Sequence, residues 1–177
     1  MNTPPQRVRV ARLQDTQLDG VVAIDLACKQ QLHRAGVPAA EEPARGVAGI
    51  AKLTKLHNVL VADADGTVAG YAAWRDESPG VAYLEELAVK PELQRHGIAE
   101  KLLDAVRDEA RARSLPILLT RAWSKNAPGR ALLEKAGFTP LASHTSERAT
   151  LWQEEHAAPA GHGPAKDGQV VMVQSLL

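Results

Sequence analysis

Two places in this 177-residue sequence hold groups whose type and spacing could do chemistry. The first is Gln94-Arg95-His96-Gly97-Ile98-Ala99, between an apolar run and a segment with Ile98, Leu102, Val106 and Ala110 at steps of four. Gly97 lets backbone approach a ligand closely. A helix beginning here leaves N–H groups without acceptors and carries partial positive charge, so the junction is suited to an anion such as phosphate. The second is the pair Glu85 and Glu86, the only acids in Val81 to Val89. Alternation along a strand puts Tyr83, Glu85, Leu87 and Val89 on one face and Ala82, Leu84, Glu86 and Ala88 on the other. One carboxylate is therefore expected on each side.

Other chemistries find less support. The single cysteine, Cys28, allows neither an internal disulfide nor a multi-thiolate metal site. It falls in step with Leu18, Val21, Ile24 and Leu32 on a predicted helix, which is the pattern of core packing. The six histidines, His33, His57, His96, His144, His156 and His162, form no HExxH or other compact ligand array, and no metal site is expected. Twenty-one basic residues balance twenty-one acidic ones, so no nucleic-acid or anionic-membrane partner is called for. The N-terminus lacks the apolar stretch of a signal peptide, and no run of eighteen apolar residues occurs. These features point to a cytoplasmic protein, and the length suits one domain with one core.

The elements that must position these groups follow from periodicity. Residues 6–13 alternate as a first strand, and Asp15 is placed to cap a helix reaching about Gln31. Residues 33–46 hold Gly36, Pro38, Pro43 and Gly46 and read as a break, with a short helix over about 45–56. Asn58 to Ala64 and Thr67 to Arg75 flank Asp65-Gly66, a hairpin signal. Ser78-Pro79-Gly80 turns the chain into Val81 to Val89. A helix from Arg95 to about Arg113 ends before Pro116. Pro116 to Thr120 then reads as a strand parallel to residues 83–89, because a strand–helix–strand unit crosses over that way. A short helix over about Ala127 to Lys135 exits through Gly137-Phe138. Thr139 to Ala142 with Arg148 to Gln153 gives a broken strand, Glu154 to Asp167 is rich in breakers, and Gln169 to Leu176 is the last strand.

Two of these segments carry a family likeness. Leu87 to Leu103, LAVKPELQRHGIAEKLL, resembles the acyl-CoA binding motif of the GCN5-related N-acetyltransferase superfamily, a Gln/Arg-x-x-Gly-x-Gly/Ala turn after a strand. Asn126 followed by Ala131-Leu132-Leu133-Glu134-Lys135-Ala136-Gly137-Phe138 is similar to that family's asparagine and A-L-Y-E-K-x-G-F segment, in the right order. The likeness covers roughly residues 58–142. It implies an α/β (α+β) domain over residues 1–177: a mixed central sheet of six or seven strands, an antiparallel meander and then a β-α-β crossover, with about four helices. The first two helices would form one side of the acceptor groove.

The resemblance further implies acetyl-CoA as cofactor and transfer of its acetyl group to a primary amine of a small molecule, peptide or protein. Backbone of Gln94, Arg95, His96, Gly97, Ile98 and Ala99 would meet the pyrophosphate, main chain of Leu87, Ala88 and Val89 the pantetheine arm, and Asn126 would lie near that arm, although it could equally cap the helix that follows. The amine must arrive uncharged, so Glu86 or Glu85 would act as base, with a preference for Glu86 because the opposite face carries larger side chains. Where relatives place a proton-donating tyrosine this chain has Leu133; Tyr83, Ser124 or water would then protonate the thiolate, or it would leave unassisted. Trp74 and Tyr83 could wall an acceptor pocket or pack in the core; His144 and His156 could close over it; Asp76 and Glu77 could draw in a basic substrate. Pairing of two copies through the final strands is a further implication. A non-catalytic acyl-CoA-binding module acting through a protein partner is the alternative, and a longer acyl thioester is a third reading.

Overall fold

The order of elements follows the switches between twofold and helical periodicity along the chain. In the computed structural model, residue 5, residues 7–141 and residues 168–177 are described. Strand β1 is Val8–Arg12, followed by a 3-10 turn at Asp15–Gln17, helix α1 (Leu18–Arg34) and helix α2 (Gly46–Leu56). Then come β2 (Asn58–Ala64), β3 (Thr67–Ser78), β4 (Val81–Val89), a 3-10 turn at Pro91–Leu93 and α3 (Ile98–Ala112). The chain continues with β5 (Ile117–Trp123), α4 (Ala127–Lys135), β6 (Thr139–Pro140) and β7 (Gln169–Ser175). Among the described residues, seven strands form one mixed sheet in the order β1-β2-β3-β4-β5-β7-β6.

The chain forms two compact units, Met1–Arg75 with Glu85–Glu109, and Asp76–Leu84 with Ala110–Leu177. In the first, β1 and β2 pair antiparallel from Val8↔Ala64 to Arg12↔Leu60, and β2 pairs antiparallel with β3. Asp65 and Gly66 both have positive φ, 52° and 87°, the conformation a two-residue hairpin turn needs. Val21 and Ile24 of α1 and Ile50 and Leu53 of α2 bury their side chains with Val59, Val61, Tyr71, Ala73 and Ala88. Burial of each such aliphatic side chain contributes roughly 1.5–3 kcal/mol. Gly70 is required by a close approach: a Cβ there would stand 2.7 Å from the carbonyl oxygen of Ala88.

Two expectations for this unit are corrected. Asp15 does not cap α1; the Gln14 N–H donates to Gln17 Oε1 at 3.1 Å, and Asp15 lies within the turn that this bond closes. Helix α3 begins at Ile98 rather than Arg95. Arg95 and Gly97 have φ of 65° and 76°, left-handed values that no right-handed helix contains.

In the second unit, β4 and β5 pair in parallel from Val81↔Ile117 to Leu84↔Thr120, so the crossover uses the first half of β4. Thr120 Oγ1 donates to the Leu84 carbonyl at 2.9 Å, which satisfies a buried hydroxyl. Val81, Tyr83, Ile117, Leu119, Leu141 and Val173 form this unit's core. Helix α4 ends in paired bonds, Phe138 N–H to Leu133 O and Gly137 N–H to Glu134 O, both 3.0 Å, with Gly137 at φ 88° and Phe138 buried over the end. β7 runs antiparallel to β5 from Ile117↔Ser175 to Trp123↔Gln169, and meets β6 at Val173 and Met172. The final strand thus lies between β5 along its length and β6 at Val173 and Met172. The expected strand at Arg148 to Gln153, the stretch Glu154 to Asp167, and His144, His156 and His162 lie outside the described residues.

Candidate active site

The turn between β4 and α3 has the form the anion reading requires. Positive φ at Arg95 and Gly97 alternates with the intervening residue, an arrangement in which successive N–H groups converge on one concavity. Lys101 N–H donates to Gly97 O at 3.2 Å, so Gly97 starts the ladder and the amides of the first turn have no intrahelical acceptors. A Cβ on Gly97 would meet nothing within 4 Å, so the glycine is there for its φ and not for want of space. His96 Nδ1 lies 2.9 Å from Gln94 O and 3.3 Å from Leu93 O; it donates to these carbonyls, which turns the ring inward on the turn.

Gln94 braces the turn. Its Nε2 donates to Val89 O at 3.1 Å and to Gln31 Oε1, on α1, at 2.9 Å. Cys28 Sγ donates to the same Val89 carbonyl at 3.3 Å. That carbonyl has two lone pairs, and both are in use. Lys90 N–H donates to Ala69 O at 2.8 Å, so alternation directs the main chain of Lys90 and Ala88 toward β3 and that of Val89 and Leu87 to the other side. For an extended ligand beside Leu87, Ala88 and Val89, the main-chain groups directed away from β3 and not engaged by Gln94 or Cys28 are those of Leu87 and the N–H of Val89.

The glutamates lie in a web of charge. Glu86 Oε2 accepts from Lys29 Nζ at 2.8 Å and from Arg45 Nη1 at 2.7 Å. Lys29 and Asp25, one turn apart on the buried face of α1, are 2% and 1% exposed. Lys29 also donates to Glu42 Oε1 at 2.7 Å. Asp25 accepts from Arg45 N–H at 2.7 Å, Arg45 Nη1 at 2.8 Å and the Tyr71 hydroxyl at 2.9 Å. Glu85 has longer contacts: Arg75 Nη1 at 3.4 Å, Arg45 Nη2 at 3.7 Å and His57 Nε2 at 3.7 Å. Both carboxylates therefore reach the guanidinium of Arg45. The physical reason is the length and fork of arginine, which spans positions that a strict pleat would divide.

These contacts set proton affinities. Burial works against the charge on Glu86, but Lys29 and Arg45 outweigh it and hold the carboxyl below the ordinary glutamate range. Burial likewise opposes the charge on Lys29, and Glu86 and Glu42 nonetheless raise its pKa. Burial, then the nearby Glu86 charge, pushes the Cys28 thiol up to about 12, which makes it a hydrogen-bond donor and not a nucleophile. Burial, Glu86 and Asp25 push the Tyr71 hydroxyl well above its usual value, so it remains the donor to Asp25.

Other expected site residues fall elsewhere. Tyr83 packs in the core of the second unit, and Trp74 is fully buried with its Nε1 donating to Glu109 Oε2 at 3.1 Å. Both are buried, as the packing role requires. Asn126 Oδ1 accepts from Gly129 N–H at 3.2 Å and caps α4. Leu133 is buried on the same helix. Asp76 pairs with Arg113 at 3.1 Å. Asp25, Lys29, Arg45, His57 and Arg75 were not foreseen. A signal existed for the first two: they stand four apart, each one position beyond Ile24 and Cys28 of the apolar stripe, inside a helix's buried face.

Comparison with known proteins identifies the family and the fold. The model of the acetyltransferase (GNAT) family matches residues 27–138, and the chain belongs to that family. A mycothiol acetyltransferase of Thermobifida fusca (strain YX) is 33% identical over 112 residues, 62% of this chain and 33% of that protein. The chain therefore spans about a third of the length of that curated relative. Among solved structures, the PaiA N-acetyltransferase of Thermoplasma acidophilum, in complex with coenzyme A, superposes with a TM-score of 0.71 at 14% identity, over 96% of this chain and 99% of that one. The ribosomal-protein-S18-alanine N-acetyltransferase of Escherichia coli gives a TM-score of 0.63 at 20% identity, over 96% and 94%. These two share the fold.

Proposed function

We propose that this chain transfers the acetyl group of acetyl-CoA to a primary amine of a small molecule, peptide or protein, by direct attack in a ternary complex. The observation that carries the reading is the turn at residues 94–99, where left-handed Arg95 and Gly97 aim backbone amides into one concavity at the start of α3. Such a concavity fits the diphosphate of coenzyme A. Main chain of Leu87 and the Val89 N–H are the groups assigned to the pantetheine amides. Asn126 contributes by fixing the start of α4, and direct contact with the arm is a second role for its amide N–H groups.

Glu85 is the base we assign, in place of Glu86. The carboxylate of Glu86, clamped by an ammonium and a guanidinium, binds a proton weakly, whereas Arg75, Arg45 and His57 stand 3.4 to 3.7 Å from Glu85. Glu85 takes a proton from the ammonium, directly or through water, and frees the lone pair. That lone pair attacks the thioester carbon, the tetrahedral intermediate collapses, and the C–S bond breaks to release thiolate. Leu133 cannot protonate it, and Tyr83 lies in a core; water is the donor we assign, and thiolate is a tolerable leaving group unassisted.

The family match runs through both compact units, which supports reading residues 1–177 as one acetyltransferase domain. No helix among the described residues is long and apolar enough to cross a membrane. We assign the reaction to the cytoplasm, where acetyl-CoA is consumed. The acceptor panel should contain polyamines, aminoglycosides, amino acids, peptide amino termini and, because of the curated relative, a mycothiol-related amine. Release of free thiol from acetyl-CoA with one of these, lost in Glu85→Gln, is the expected result. Leu133 favours a second reading, a non-catalytic module that binds acyl-CoA; acetyl-CoA binding with no thiol release across the panel would replace the first reading with it.

A further inference from the structure

Gln94 is the last residue before the left-handed positions of the turn, and its own φ and ψ, −65° and 157°, are ordinary extended values. Its backbone N–H reaches Pro91 O only at 3.4 Å, a long contact. The side chain holds more firmly, and chemistry decides its orientation. The Val89 carbonyl can only accept, so the Gln94 atom 3.1 Å from it is the amide nitrogen. That nitrogen has one hydrogen left, and it goes to Gln31 Oε1 at 2.9 Å. Gln31 stands three positions after Cys28 on α1, so the two are neighbours on the helix surface. Cys28 Sγ reaches the Val89 carbonyl directly, at 3.3 Å, and Gln31 reaches the same junction through Gln94. Gln31 is thus one element removed from the amides assigned to the diphosphate.

Arg95 gives this bond its consequence. A residue with a Cβ is disfavoured at φ 65° and keeps such an angle only where its surroundings fix it. After Gly97 the chain is fixed by α3; before Arg95 it is fixed at Gln94, from the end of β4 and from α1. His96 braces the turn from within, through Gln94 O at 2.9 Å, and Gln31 ties it to a second helix. We propose, on the reading of this turn as the diphosphate site, that Gln31 is a positioning residue. Through Gln94 it holds the turn, before the cofactor arrives, in the form whose amides converge. A turn that has this form for only part of the time lowers apparent affinity by that fraction. Once acetyl-CoA is bound, its phosphates hold the amides themselves. Loss of Gln31 therefore weakens cofactor binding and leaves the chemical step alone.

Calorimetry with acetyl-CoA on the full chain, and kinetics with its best acceptor, make the test. Gln31→Leu keeps the bulk and removes the acceptor oxygen. Kd and the KM for acetyl-CoA should rise about three- to tenfold, the range one hydrogen bond gives, while kcat at saturating acetyl-CoA stays within about twofold. Gln31→Glu retains an oxygen that accepts, and should bind near the parent value. In a Gln94→Leu background, Gln31→Leu should add little, because the two side chains act as a unit. Gln31→Ser, whose hydroxyl is too short to reach Gln94, makes the same test should Gln31→Leu not fold. A glutamine that only supports α1 would lower the urea midpoint and leave Kd unmoved, and that result overturns the positioning role. Equal weakening by Gln31→Leu with and without Gln94 overturns it as well. A parent chain that binds no acetyl-CoA removes the diphosphate reading and this inference with it.

Discussion

Arg45 and Glu86 meet at 2.7 Å, and the nitrogen that makes this contact also stands 2.8 Å from Oδ1 of Asp25. One guanidinium thus joins α1 to β4, while its own backbone N–H binds Asp25 as well. A fork with several fixed donors can satisfy two carboxylates at once, which the single ammonium of lysine does less well. Asp25 is almost fully buried, so its charge depends on these partners and on the Tyr71 hydroxyl.

Replacing Arg45 by methionine should therefore be severe. It leaves Asp25 and Glu86 short of a counter-charge in low dielectric, and breaking such a pair typically costs about 3–5 kcal/mol. Urea denaturation at neutral pH checks it. A loss below about 1 kcal/mol would place the pair among the weak, solvent-screened contacts.

The same web gives stability a pH dependence with two limbs. Glu86 has a depressed folded-state pKa, so its contribution is complete above the unfolded value, about 4.3, and is lost as pH falls through the folded value. Lys29 has a raised folded-state pKa, so its contribution is complete below the unfolded value, about 10.4, and is lost as pH rises through the folded value. Unfolding free energy should form a plateau between those limits. Glu86→Gln should flatten the acid limb relative to the parent, and Lys29→Met the alkaline one. Limbs of unchanged slope in both variants would falsify the linkage.

Much of the scaffold was legible because local rules decide it. The bounds of α4 follow from Asn126 before it and Gly137 after it, and the hairpin at Asp65-Gly66 from the φ those two residues tolerate. The start of α3 was misplaced because sequence does not announce that Arg95, a residue with a Cβ, takes a left-handed φ. The two glutamates were visible, but what distinguishes them was not. Their difference comes from Lys29, Arg45, His57 and Arg75, which reach them across separations of 10 to 57 residues. Spacing rules describe neighbours on one element and are silent about which long side chains converge from several.

Cys28 should be chemically quiet despite being only partly buried. Its thiol donates to Val89 O and its pKa stands at about 12, so thiolate is scarce near neutrality. Labelling with an aromatic disulfide reagent at pH 8 should be at least about a hundredfold slower in the folded protein than in urea, given a shift of this size from the usual value near 8.5. Cys28→Ser keeps a donor and should retain coenzyme A affinity. Rapid labelling of folded protein would contradict the geometry.

Gly97 and Arg95 separate folding from cofactor affinity. Gly97 holds φ at 76° with open space where a Cβ would point, so Gly97→Ala meets no clash and loses only the conformational allowance of glycine. That loss is about 1–2 kcal/mol for a left-handed residue, and the turn can relieve it by rotating its amides away from convergence. The domain should stay folded, while acetyl-CoA affinity by calorimetry falls by about tenfold or more, the equivalent of the strain. Arg95→Gly runs the other way. Its backbone already sits at φ 65°, and glycine accepts that angle without strain, so the turn should keep its shape and the affinity should change much less than in Gly97→Ala. If the two substitutions weaken binding equally, the arginine side chain and not the backbone concavity holds the phosphates.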